Sequence, residues 1–118
     1  MREIPVIPNS MPTVTTTVHH TVELPALCPV TGNPQKGSTL SIKYSPHSHL
    51  LDVFGIAGVI EDYINNTEVR DIEYMVQHLA QRIANRLGIT AALTAQITLD
   101  IGQSLVIDVQ ASPEQAEA

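Results

Sequence analysis

Residues 14–44 read VTTTVHHTVELPALCPVTGNPQKGSTLSIKY, two alternating runs on either side of a loop broken by proline and glycine. In the first run Val14, Thr16, Val18, His20, Val22 and Leu24 share one face, and Thr15, Thr17, His19, Thr21 and Glu23 the other. In the second, Leu40, Ile42 and Tyr44 oppose Thr39, Ser41 and Lys43. Period-two alternation with β-branched residues specifies strands with one buried face. The two runs are natural antiparallel partners, joined by too many residues for a tight hairpin. Between them, Leu27-Cys28-Pro29-Val30-Thr31-Gly32-Asn33-Pro34 cannot be helix and does not suit the middle of a strand. It is a shaped loop presenting the only cysteine in the chain. A lone cysteine is more often a buried structural residue than a reactive one, so its neighbourhood decides its role.

Working outward, the period changes after Ser45-Pro46-His47-Ser48. From about Leu50 to Ile64, Val53, Ile56, Ile60 and Tyr63 fall at helical spacing. Gly55 and Gly58 interrupt that segment, each costing about 1 kcal/mol relative to alanine inside a helix. Asn65-Asn66-Thr67 is a turn, with Thr67 or a neighbour as cap. The strongest helix spans about Glu68 to Leu87, with Ile72, Val76, Leu79, Ile83 and Leu87 on one stripe. Its acids Glu68, Asp71 and Glu73 lie at the N-terminal end and Arg82 and Arg86 at the other, as the helix dipole favours. Gly88 is the expected terminator. Residues 91–99 and 105–110 alternate again around an Asp100-Ile101-Gly102-Gln103 turn. The expected fold class is α+β: β-β-α-α-β-β, one antiparallel sheet with two helices on one face. Long sheet edges usually pair with another chain, so a ring or barrel of several subunits is expected. Residues 1–13, with Pro5, Pro8 and Pro12, form an extended arm that a neighbouring subunit could receive. Residues 14–111 form the domain, and 112–118 a polar tail.

The 118 residues carry a formal charge of −6, are 43% hydrophobic and only 3% aromatic. The core must therefore be aliphatic. Twelve acids against six Lys and Arg argue against direct nucleic-acid binding. No polybasic patch marks a membrane surface, and no apolar run is long enough to span a bilayer. One cysteine forms no internal disulfide. With no apolar leader at Met1, the expected compartment is the cytoplasm.

The strand order resembles the tunnelling fold of purine- and pterin-binding enzymes. Within it, Cys28-Pro29-Val30-Thr31-Gly32-Asn33-Pro34 resembles the cysteine motif of the 7-cyano-7-deazaguanine (nitrile) reductases of queuosine biosynthesis, Cys-Pro-x-Thr-Gly-x-Pro-Asp. Five of its six fixed positions agree, and the resemblance in spacing runs from about Thr13 to Ala111. It implies that Cys28 attacks a nitrile carbon to form a thioimide, which NADPH reduces by two hydride transfers. It also implies that Glu73 anchors the purine-like ring, since a carboxylate accepts two parallel hydrogen bonds from a guanine-like edge. Asp52 stands where the family has a second acid.

The departures are specific. Gln35 occupies the family's catalytic aspartate position, and glutamine is no general acid. Ile72 replaces the histidine of the substrate-binding His-Glu pair. Val53 to Ile60 contain no basic residue, whereas the family has lysines there for the NADPH phosphates. Relatives with the cysteine but no NADPH motif are amidinotransferases of archaeosine formation, which add ammonia to the nitrile. A third reading is a non-catalytic purine- or pterin-binding protein. Small-molecule binding between the subunits of a homo-oligomer is common to these readings. No metal is expected; a Cys28, His47 and His49 zinc set has only weak spacing support. His20 reads as a core or interface residue, His19 as a lining of the inter-subunit surface, and His78 as surface.

Overall fold

The computed structural model describes residues 1–114, so residues 115–118 of the expected polar tail at 112–118 lie outside the described residues. The elements, in order, are β1 (Val6–Pro8), β2 (Val18–Glu23), β3 (Thr39–Tyr44), β4 (His49–Leu51), α1 (Val53–Glu61), α2 (Ile72–Leu87), β5 (Ala91–Thr98) and β6 (Ser104–Ala111). The main sheet is antiparallel throughout, in the order β2-β3-β5-β6. The expected α+β class and β-β-α-α-β-β core are present, flanked by a second, two-stranded sheet of β1 and β4.

Alternation decides the sheet's two faces. Leu40, Ile42 and Tyr44 of β3 and Ala91, Leu93, Ala95 and Ile97 of β5 are buried. Their neighbours Thr21 and Ser41 bond each other on the opposite, polar face at 2.9 Å, as do Thr94 and Asp108 at 2.6 Å. Helix α2 covers the apolar face with Met75, Val76, Leu79, Ala80, Ile83, Ala84 and Leu87. Helix α1 adds Ile56, Val59 and Ile60 to the same core. Burial at roughly 25 cal/mol per Å² of apolar surface makes this aliphatic layer the main stabilising term.

The expected first strand shortens from 14–24 to Val18–Glu23. Its partner β3 ends at Tyr44, opposite Val18, so residues upstream of Val18 have no ladder to join. Both helix starts also move. Leu50 and Leu51, expected in the first helix, pair instead with Ile7 and Val6. Asp52 then caps α1, accepting from Phe54 N–H at 3.1 Å. The second helix begins at Ile72, not near Glu68, because Asp71 rather than Thr67 is its cap, accepting from Tyr74 N–H at 2.6 Å. Asn66 holds the preceding turn by accepting from Glu68 and Val69 N–H, both at 2.9 Å. Gly88 ends α2 in the left-handed region at φ 70°, as expected.

The N-terminal arm lies on its own chain. Ile4 is buried, Arg2 pairs with Asp62, and Arg82 and Arg86 of α2 donate to the carbonyls of Arg2 and Ile4. The two arginines at the end of α2 thus do more than complement its dipole. The arm also explains the glycines of α1: a Cβ on Gly55 would stand 2.5 Å from Pro5 Cγ, and one on Gly58 would meet the Arg2 guanidinium. Gly55→Ala therefore loses the arm's seat despite its better helix propensity. The expected result is a net destabilisation of about 1–3 kcal/mol, the usual range for overpacking, read by denaturant melts. Gly58→Ala should cost less, because the Arg2 side chain can swing aside.

The Arg2–Asp62 pair at the arm gives a pH dependence. The Arg2 guanidinium holds the Asp62 carboxylate below its usual range through hydrogen bonding and charge. A depressed carboxylate stabilises above its unfolded-state value and loses that contribution as pH falls through the folded one. Arm docking accordingly weakens only at acidic pH.

Candidate functional site

The cysteine loop is held by its own backbone. Asn33 C=O accepts from both Leu27 N–H and Cys28 N–H, at 2.9 and 3.0 Å. Gly32 N–H donates back to Cys28 C=O at 2.8 Å. That closure needs Gly32 at φ +71°, a conformation that side chains other than glycine rarely adopt. The loop is tied to the end of β5 by Gln35 N–H, which donates to Thr98 C=O at 2.8 Å. Buried Ser38 adds a second tie, its Oγ accepting from Thr98 N–H at 3.0 Å.

Cys28 is half-buried and free. Its thiol ionises below the ordinary range, first because of the Thr31 hydroxyl, then the backbone N–H groups of Thr31 and Val30, and more weakly the Arg70 charge. The geometry explains the leading cause. Thr31 Oγ1 accepts from Asn33 N–H at 3.3 Å, which leaves its one O–H free to donate to sulfur. Alkylation of Cys28 should therefore reach half its limiting rate at a lower pH than free cysteine. Thr31→Val should move that midpoint up and slow the neutral-pH reaction by roughly threefold to tenfold, since the thiolate is the reacting form.

Cys28 lines a cavity of about 310 Å³ between the loop, the turn before α2, and β5. Pockets for small molecules run about 300–1,000 Å³, so a single compact ring system fits. Leu27, Val30, Ile72, Met75, Ile97 and Leu99 supply apolar walls, and Asn65, Asn66, Arg70 and Asp71 the polar groups. Asn65 sits at φ 53°, with its N–H bonded to Leu27 C=O at 2.7 Å. This bond ties the pre-helix turn to the cysteine loop.

Of the residues singled out from the sequence, Cys28 and Ile72 share this cavity. Gln35 lies just behind it, donating to Gly32 C=O and Asn33 Oδ1, both at 3.1 Å; in this chain it braces the loop. Glu73 is exposed in the first turn of α2, outside the cavity lining. Asp52 is the cap of α1, also outside it. His47 lies just before β4 and His49 opens it, both exposed, and among the described residues no group of three or more His, Cys, Asp or Glu side chains is arranged to hold a metal. His20 faces the core, its Nδ1 buried without a partner. His78 is not a surface residue as expected: it bonds buried Tyr63 Oη at 2.8 Å and stacks edge-on with Tyr63 and Tyr74. Burial and the Arg82 charge lower its pKa.

Sequence reasoning missed Asn65, Asn66 and Arg70. Their position in a turn directly before the strong helix was the available signal, because binding groups concentrate on loops held by rigid elements. Among the described residues, no helix is long and apolar enough to cross a membrane. No protein-family model matches the sequence, and no curated protein is significantly similar to it.

Proposed function

We propose that this chain is a thiol enzyme of tunnelling-fold type that acts on the nitrile of 7-cyano-7-deazaguanine. One observation carries the reading: the sole cysteine stands at a small, apolar-walled cavity on a loop that favours its thiolate. The Cys28 thiolate attacks the nitrile carbon. A C–S bond forms, the carbon–nitrogen π pair moves to nitrogen, and nitrogen takes a proton from solvent water, leaving a thioimide. The apolar walls suit the faces of a flat heterocycle, and the Asn65, Asn66, Arg70 and Asp71 groups suit its polar edge.

NADPH, implied by the reductase resemblance, carries phosphates that require clustered cations. Among the described residues, Arg70 is the single Lys or Arg in the cavity lining, and α1, where the family's lysines would fall, has no basic residue. The residues present do not fit NADPH. That observation favours the amidine reading: ammonia adds to the thioimide carbon, the C–S bond breaks, and an amidine leaves as the thiolate is restored. The motif itself remains nearest the reductases.

Among the described residues the outer edges of β2 and β6 pair with no further strand, which supports assembly with further copies through those edges. The test is intact-protein mass spectrometry after mixing with 7-cyano-7-deazaguanine. A gain of one ligand mass is expected. NADPH consumption against incorporation of labelled ammonia then separates the two products. An unmodified protein whose thiol still alkylates would overturn the nitrile reading in favour of non-catalytic purine or pterin binding.

A further inference from the structure

We infer that Asp100, in the turn between β5 and β6, is a positioning residue for Cys28, acting through Asn33 and Thr31. The inference rests on Cys28 being the reactive group of the proposed function. Asp100 and Asn33 are 67 residues apart in sequence, and only the fold brings them together. Both ends of the Asn33 amide are read. Its Nδ2 donates to Asp100 Oδ1 at 2.9 Å. Its Oδ1 accepts from Asp100 N–H at 3.0 Å and from Gln35 Nε2 at 3.1 Å.

Asn33 is the residue on which the cysteine loop closes. Its C=O takes the Leu27 and Cys28 N–H groups, and its N–H goes to Thr31 Oγ1. A hydrogen-bonded path thus runs from the Asp100 carboxylate through the Asn33 side chain and backbone to the Thr31 hydroxyl beside sulfur. The turn that carries Asp100 is itself closed by Leu99 N–H donating to Gln103 C=O at 2.8 Å. The carboxylate therefore comes from an anchored element rather than a loose tip. Asp100 is too far along this path to be a catalytic residue; its part is to hold Asn33 in one orientation. A preorganised loop requires its supporting groups to be locked in this way.

The test is a charge swap read on the thiol. Iodoacetamide alkylation of Cys28, the only cysteine, is followed against pH in the full chain and in three variants. Asp100→Ala removes the acceptor. Asn33→Asp sets a second carboxylate against Asp100. Asn33→Asp with Asp100→Asn restores a donor–acceptor pair of reversed sense. Each single variant is expected to raise the midpoint of the profile and slow neutral-pH alkylation by roughly threefold to tenfold, a tenfold loss of thiolate corresponding to about one unit. The double variant is expected to recover most of the loss.

Wild-type profiles in both single variants would overturn the inference. So would a double variant no better than Asn33→Asp alone. Thermal melts accompany each variant, and if Asp100→Ala fails to fold, the Asn33→Asp pair with and without Asp100→Asn decides. Iodoacetamide carries no nitrile, so this result is independent of the substrate. A missing nitrile adduct beside the expected alkylation shifts would count against the nitrile reading alone.

Discussion

Cys28→Ala is expected to abolish the mass gain with 7-cyano-7-deazaguanine and to lower any turnover by at least about a thousandfold, the scale seen when a covalent nucleophile is removed. The size follows from the site's composition. No other cysteine exists in the chain, so no second thiol can substitute. Cys28→Ser should be nearly as inert: serine keeps the shape, but its hydroxyl stays protonated at neutral pH and, among the described residues, the cavity lining contains no histidine to take the proton. Both variants should melt within about 0.5 kcal/mol of wild type, as expected for a partly exposed side chain outside the core. Stable but unreactive variants would separate the thiol's chemistry from any structural role. An adduct that persists in Cys28→Ala would place the attack elsewhere.

The largest stability effect is expected at Leu79→Ala. Leu79 is fully buried in the middle of the α2 stripe that covers the sheet. Truncation removes apolar contact and leaves a cavity between layers that cannot collapse without moving the helix. The cost should be about 2–5 kcal/mol, a large share of the roughly 5–15 kcal/mol that holds a domain folded. At about 4 °C per kcal/mol for a chain of this size, the melting temperature should drop by roughly 8–20 °C. Gln77→Ala on the exposed side of the same helix should stay within about 0.5 kcal/mol. A small effect at Leu79 would mean that α2 is not packed on β5 and β6 as described.

The Thr31 and Asp100 variants probe a different level of organisation from these two. They leave the core and the cysteine in place: Thr31→Val removes the hydroxyl that donates to sulfur, and Asp100→Ala alters how the loop is held. Their readout is the pH profile of one cysteine, whereas Leu79→Ala is read in melting and Cys28→Ala in covalent capture. Together the variants distinguish the layer that supplies stability from the loop on which the proposed chemistry rests.

Much of this architecture was legible in the residues. Strand alternation assigned the buried face of the sheet, because side chains on a pleat point to opposite sides with period two. The stripe Ile72, Val76, Leu79, Ile83, Leu87 located α2, and Gly88 its end. Pro29, Gly32 and Pro34 marked the loop that presents Cys28. All of these are local signals, carried by neighbours a few positions apart. Tertiary structure decided what depends on distant partners. Leu50 and Leu51 became strand because β1 was there to pair with them, and Gly55 and Gly58 are explained only by the arm that crosses α1. Arg82 and Arg86 look like dipole complements in sequence and are anchors of that arm in space. Thr31 and Asn33 reach Cys28 within one loop, but Asp100 meets Asn33 only when the β5–β6 turn folds beside that loop. Periodicity reports which face of an element is buried. Which elements then meet is set by the packing of those faces, and that determines the environment of Cys28.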